Sequence, residues 1–265
     1  MHITFGNAAL LVIAGFLAGI MNAVAGGGTF LTFPALVFTG IPSIAANQTS
    51  TIAVFPGQVA SFWAYRKILA AEKRTVMVLG LTSLLGGSLG AIILLSTPSA
   101  AFDRLVPWLL LFATVVYGLG NRIRNRLGWR LTDKNEREIG WNPLLKAAVI
   151  QLAIGIYGGF YGAGAGIVEL AVLDMLGFEN INLANALKVI LTTAFNTLAL
   201  VIFIAFGKIF WPEALLMGIA TISGGYSGAW VAQRLPQSWV RNFVIFIGIT
   251  MTVYFFLRVY CACIG

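Results

Sequence analysis

Apolar residues occur along this chain in long blocks that are separated by short polar or glycine-rich segments. Most blocks have about 17 to 25 residues, the length that a helix needs to cross the hydrocarbon core of a bilayer. Two blocks are too short to span it comfortably, and each of them follows a glycine cluster. The pattern predicts helical segments at residues 8–24, 30–38, 44–65, 76–95, 105–119, 144–160, 167–176, 181–206, 215–232 and 239–257.

The two halves of the chain repeat each other at one offset without gaps. Ala-Gly-Gly-Gly at 25–28 is matched 138 positions later by Ala-Gly-Ala-Gly at 163–166. The same offset superposes Ala46-Asn47 on Ala184-Asn185, Gly80 on Gly218, Gly86-Gly87 on Gly224-Gly225, Gly90-Ala91 on Gly228-Ala229 and Pro98 on Pro236. With five segments in each half, the second half crosses the bilayer in the opposite sense. The chain is therefore predicted to be an all-α polytopic membrane protein with two inverted-topology repeats, although duplication without a symmetric site is an alternative.

The charged loops predict the domains and their orientation. We assign residues 1–119 to the first membrane repeat, 120–143 to a linker and 144–265 to the second repeat. Loops 66–74 and 120–143 are each net +3, whereas the loops on the other predicted side are net zero. Because positively charged loops stay in the cytoplasm, we expect a multi-pass protein of the cell (inner) membrane with a cytoplasmic linker and both termini outside.

The two glycine clusters predict broken or re-entrant helices. Such a break is tolerated in a membrane only where the freed backbone is buried in protein or lines a cavity. The helix that follows a break directs free N–H groups and a partial positive charge towards the cavity, which suits a small anion. The candidate binding residues at these turns are Gly26, Gly27, Gly28, Thr29, Gly164 and Gly166. Alternatively, the glycines only allow close helix crossing.

Polar residues inside the third segment of each half point to the same cavity, because amides and hydroxyls are costly in apolar surroundings unless they are paired. Each Asn of the Ala-Asn steps could instead cap its helix. The candidate residues are Asn47, Gln48, Thr49 and Ser50 in the first half and Asn185, Lys188 and Asn196 in the second. Gln58 aligns with Asn196, and both could face the cavity.

Lys188 is the most specific single candidate. It lies inside an apolar block, where the first half has the uncharged Ser50. A buried ammonium needs a partner, which could be a transported anion, Glu169 or Asp174. Glu169 could neutralise Lys188 in the empty site or carry a coupled proton. A purely structural ion pair, or a lysine that extends to the membrane interface, is the alternative.

Composition agrees with the membrane assignment and limits the partners. The chain is 59% apolar and 10% charged, with a mean hydropathy of +0.90, unlike a soluble domain. The excess of 17 Lys and Arg over 9 Asp and Glu lies mostly in short loops, which indicates topology and anionic lipid rather than nucleic acid. We expect a small anion and the bilayer as partners, with a homodimer as an option, and no cofactor or metal.

Three motifs carry a resemblance to a known family. The run GFLAGIMNAVAGGGTFLTFPALVFTGIPSIAANQTSTIAVFPG at 15–57, YGGFYGAGAGI at 157–167 and ANALK at 184–188 resemble the TauE/SafE family of sulfite and organosulfonate exporters. This resemblance implies a multi-helix transporter of small, often sulfur-containing anions. We therefore expect a secondary transporter that exports such an anion by alternating access around a midplane site. A membrane-embedded enzyme and a passive anion channel are the alternatives, and the enzyme is disfavoured because the only histidine is His2.

Overall fold

A computed structural model describes residues 4–24, 27–69, 72–127, 141–175, 178, 181–232 and 237–261. These residues form ten α-helices, and no strand occurs among them. The helices are α1 (Phe5–Val24), α2 (Thr29–Phe38), α3 (Ser43–Leu69), α4 (Lys73–Ser96), α5 (Ser99–Leu127), α6 (Trp141–Phe160), α7 (Ala165–Met175), α8 (Ile181–Phe206), α9 (Trp211–Ala232) and α10 (Gln237–Tyr260). The predicted all-α class and all ten helical segments are confirmed.

The largest boundary difference concerns the predicted linker. Helix α5 continues to Leu127, past the predicted end of the first repeat at residue 119, and α6 begins at Trp141. The segment that follows the apolar block is rich in Arg, which is a good helix former, so the helix can extend beyond the hydrophobic residues. The rest of the linker, 128–140, lies outside the described residues, and its cytoplasmic location stays a prediction.

Five helices of the described part of the chain are long and apolar enough to cross a membrane. They contain the segments Phe5–Ala23, Lys73–Ser96, Ser99–Val116, Trp141–Phe160 and Leu183–Phe206. Large apolar side chains such as Leu85, Val149 and Phe246 are more than half exposed on the surface of the bundle. Such a surface suits lipid rather than water, and the protein is a multi-pass membrane protein.

The helices of the two halves interleave. Helix α1 packs against α9 and α6 packs against α4, while α3 contacts α9 and α4 contacts α8. Helices α3 and α8 contact each other, as do α5 and α10. These contacts are symmetric between the halves, in which α1–α5 correspond to α6–α10. The α1–α9 contact corresponds to α6–α4 and the α3–α9 contact to α8–α4, while the α3–α8 and α5–α10 contacts each correspond to themselves. The duplication predicts this symmetry, whereas the inverted orientation of the two halves in the membrane stays a prediction.

Close helix crossings depend on aligned glycines. A Cβ atom added to Gly86 of α4 would lie 2.6 Å from the carbonyl oxygen of Leu152 in α6. At the aligned position in α9, a Cβ atom on Gly224 would collide with the backbone of Phe16 in α1. Small residues at such contacts let helix backbones approach closely in lipid, so these glycines hold α4 against α6 and α9 against α1.

Candidate functional site

Two glycine turns bring the site together. Between α1 and α2, Gly27 has a φ of 103°, and between α6 and α7, Gly162 and Gly164 have φ values of 77° and 73°. Residues with a side chain rarely adopt this left-handed backbone conformation, because their Cβ atom comes too close to the backbone. Glycine therefore allows the chain to turn sharply into the short helices α2 and α7. Gly26 lies outside the described residues.

A polar cavity lies between these turns, where α3 and α8 meet. The volume that the centre of a water molecule can occupy inside it is about 40 Å³. By the same definition, one water molecule needs roughly 10–15 Å³. The space thus suits a few waters or one small oxyanion. Both halves of the chain line the cavity, and the predicted site residues among its lining are Gly27, Thr29, Gly166, Lys188 and Asn196.

Among the described lining residues, Lys188 is the cationic group of this cavity. Its side chain is 2% exposed, which contradicts the alternative of a lysine that extends to the interface. Its Nζ donates one hydrogen bond, 3.2 Å long, to Oδ1 of Asn185. An ammonium has three donors, and no described carboxylate lies within the 4.0 Å of an ion pair. Lys188 is thus a buried cation without a described counter-ion.

Glu169 does not pair with Lys188 in this structure. The carboxyl group is completely buried, and its Oε2 accepts a hydrogen bond of 3.1 Å from Nε2 of Gln151. Its Oε1 has no hydrogen-bond partner, and Glu169 is not among the residues that line the cavity. The ion pair between Glu169 and Lys188 that the sequence suggested is therefore wrong for this conformation, and the side chain of Asp174 lies outside the described residues.

The first turns of α2 and α7 supply N–H groups to the same region. Most of these groups are occupied by local bonds: the N–H groups of Phe30 and Leu31 donate to Gly27 and Gly28, and that of Ile167 donates to Gly164. Among the described residues, the backbone N–H groups of Thr29 and Gly166 have no such acceptor. Both residues line the cavity, which fits the predicted helix N-termini beside an anion site.

Two aligned residues meet across the contact between α3 and α8. Nδ2 of Asn196 donates a hydrogen bond of 2.9 Å to Oε1 of Gln58, and the two positions are 138 residues apart, the offset of the repeat. A residue that contacts its own equivalent is the mark of a two-fold relation between two units. Both side chains line the cavity, so the cavity lies where the two halves meet as equivalents.

The polar residues 47–50 of α3 join this helix to other parts of the bundle. Nδ2 of Asn47 donates to the carbonyl oxygen of Phe160 over 2.9 Å. Capping by either Asn is wrong, because α3 begins at Ser43 and α8 at Ile181, which makes each Asn the fifth residue of its helix. The remaining bonds join Gln48 Oε1 to the backbone N–H of Lys208, Thr49 Oγ1 to that of Phe210, and the Ser50 and Thr32 hydroxyls to each other.

Two of the predicted glycines also lie beside the cavity rather than in its lining. The N–H group of Gly28 donates to Oδ1 of Asn22 over 2.8 Å, and Gly164 packs against Ala113 of α5. Five other predicted residues are likewise absent from the lining: Asn47, Gln48, Thr49, Ser50 and Asn185. Asn185 instead orients Lys188 through its hydrogen bond.

Sequence reasoning missed several polar residues of the cavity. Asn22 is the last polar residue before the first glycine turn, but the repeat offset aligns it with Phe160, so the repeat did not single it out. Tyr161 is 1% exposed, and its hydroxyl group has no hydrogen-bond partner. The polar lining residues that the sequence did not suggest are Asn22, Thr51, Ser61, Tyr161 and Thr192; Gln58 also lines the cavity, as its alignment with Asn196 suggested.

A duplicated helical bundle with broken helices around a polar cavity is the architecture of a membrane transporter. The family model of the sulfite exporters TauE/SafE matches residues 11–255, and the chain belongs to this family. The "Probable membrane transporter protein" of Haemophilus influenzae is 28% identical over 253 residues, 95% of each chain. The "Probable membrane transporter protein YfcA" of Escherichia coli is 25% identical over 246 residues, 92% of this chain and 87% of the relative. No solved structure matches the chain.

Proposed function

We propose that this protein is a secondary transporter of a small oxyanion, with sulfite or a related organosulfonate as the substrate class. The observation that carries the proposal is the buried ammonium of Lys188, which lines a small cavity without a described counter-ion. A buried charge is costly unless an opposite charge and hydrogen bonds compensate it. An anion in the cavity would provide both.

The donors around Lys188 favour an oxyanion over a simple halide. The lining contains the side-chain amides of Asn22 and Asn196 and the backbone N–H groups of Thr29 and Gly166. Several donors in one small space match an anion whose charge is spread over several oxygen atoms. The name of the family adds sulfite as the first substrate to test.

Transport would follow from relative motion of the two halves. The cavity lies where α3 and α8 meet, and the Gln58–Asn196 hydrogen bond joins them there. If the repeats are inverted, rocking one half against the other opens the cavity first to one side of the membrane and then to the other. Anion export from a cell with a negative interior is electrically downhill. We place the protein in the inner membrane with the linker in the cytoplasm.

The test is thermal stabilisation of the purified protein by sulfite, sulfate, thiosulfate, sulfoacetate, phosphate and chloride. A ligand that binds only the native state raises the melting temperature. We expect a selective shift with a sulfur oxyanion that is lost in Lys188→Ala and partly kept in Lys188→Arg. Lys146→Ala is the matched control, because Lys146 is an exposed lysine of α6. Equal shifts in wild type and Lys188→Ala would contradict the assignment.

A further inference from the structure

A second buried polar cluster lies outside the cavity and consists of Glu169 on α7, Gln151 on α6 and Ser83 on α4. Nε2 of Gln151 donates to Oγ of Ser83 over 2.7 Å and to Oε2 of Glu169 over 3.1 Å. All three residues are at most 1% exposed. The Oε1 atoms of Glu169 and Gln151 both lack a hydrogen-bond partner. The cluster thus contains a buried acid and two unused acceptor atoms.

The surroundings of Glu169 do not support a negative charge. The described titratable side chains on the helices that pack against α7 are Asp103 and Arg104 on α5, Lys146 and Tyr157 on α6, and Lys188 on α8. None of them forms an ion pair or a hydrogen bond with Glu169. On α7 itself, Val172 belongs to an apolar cluster that also contains Leu79 and Ala148. A carboxylate is costly in such a place, whereas a carboxylic acid is not.

The cluster is connected to the cavity through two helices. Gly166 lines the cavity, and Glu169 lies about one turn further along the same helix, α7. Gly158 near the end of α6 also lines the cavity, and Gln151 lies about two turns earlier in that helix. Any shift of α7 against α6 would change the shape of the cavity and the Gln151–Glu169 contact together. The first half has Leu31 and Ile13 at the aligned positions, so this cluster occurs once.

We propose that Glu169, oriented by Gln151 and Ser83, is a proton-binding site that couples proton movement to anion transport. This inference rests on the proposed transport function. In the conformation described here the proton occupies the Glu169 carboxyl group and removes its charge. When α7 separates from α6, water reaches the carboxyl group and the proton is released.

Liposomes that contain the purified protein test this coupling, with the membrane potential clamped by potassium and valinomycin. Uptake of radiolabelled sulfite and of radiolabelled sulfoacetate is measured with and without a pH gradient; sulfoacetate does not titrate near neutral pH. For one proton per anion, a gradient of one pH unit supports an accumulation ratio of about ten. Counterflow, the exchange of labelled for unlabelled anion without a gradient, is measured in parallel.

We expect Glu169→Gln to keep counterflow and to lose gradient-driven accumulation, so that its ratio falls to about one. Glu213→Gln is the control, because Glu213 is a carboxyl group of α9 that is 6% exposed and far along the chain from the cluster. The inference is overturned if the accumulation ratio of wild type does not depend on the pH gradient. It is also overturned if the accumulation ratio of Glu169→Gln depends on the gradient as that of wild type does. Loss of counterflow in a stably folded Glu169→Gln would overturn it too. Absence of wild-type counterflow with both anions would instead contradict the proposed transport function.

Discussion

Replacing Lys188 by Met should have opposite effects on the empty and the sulfite-bound protein. In the empty protein the buried ammonium has one neutral hydrogen-bond partner, Asn185. Methionine has a similar length and no charge, so the substitution removes a buried, incompletely paired group without leaving a large void. The cost of an unsatisfied buried polar group is about 1–3 kcal/mol. We expect the empty Lys188→Met protein to be more stable than wild type by about that amount.

The same substitution should weaken sulfite binding. A hydrogen bond to a charged group contributes about 1.5–3 kcal/mol, and each 1.4 kcal/mol changes affinity about tenfold. Loss of one such bond therefore predicts an affinity about 10 to 100 times lower. Amide N–H groups and other donors of the lining remain, so residual binding is expected at high sulfite concentration.

The assay combines thermal unfolding of the empty protein with isothermal titration of sulfite. Lys146→Met is the control for loss of a lysine, because its side chain is exposed on α6, and it should change neither quantity. If Lys188→Met lowers the stability of the empty protein and binds sulfite within twofold of wild type, Lys188 is a structural residue and the reasoning is refuted.

Three further predictions use other parts of the structure. Gly164→Ala should destabilise the protein by about 1–2 kcal/mol, because Gly164 has a positive φ. Gly80→Ala should not destabilise it, because an added Cβ atom there meets no atom within 4 Å. Thermal unfolding measures the stability of both variants. Asn196→Leu should break the bond to Gln58 and slow counterflow, and Gln58→Leu should add little to it in the double variant. Exposed Cys261, with Cys263 replaced by Ser, should react with a membrane-impermeant maleimide outside intact cells; labelling only after lysis would reverse the topology.

The helices could be predicted well because their signal is long and strong. Apolar blocks, most of them of membrane length, predicted ten helices, and the glycine clusters predicted the breaks before α2 and α7. The end of α5 at Leu127 was missed, because the charged residues that extend this helix no longer match an apolar block. Hydrophobicity therefore indicates where a helix lies in the membrane better than where it ends.

The lining of the cavity could be predicted only in part. In α3, residues 47–51 are polar in succession, and at 3.6 residues per turn they point to every side of the helix. Only Thr51 of this run lines the cavity, while Asn47 bonds to the end of α6. Because residues that face lipid are as apolar as those of the core, periodicity does not reveal how such a helix is rotated.

Differences between the halves locate the chemistry better than their similarities. The aligned glycines Gly86 and Gly224 serve the same packing role in both halves. At positions 50 and 188 the halves differ: Ser50 bonds to Thr32 within its own half, whereas Lys188 lines the cavity. A duplicated unit needs the same contacts twice to build its scaffold, but one small anion needs one cation. The exceptions to the repeat, Lys188 and Glu169, are therefore where substitutions should separate anion binding and proton coupling from folding.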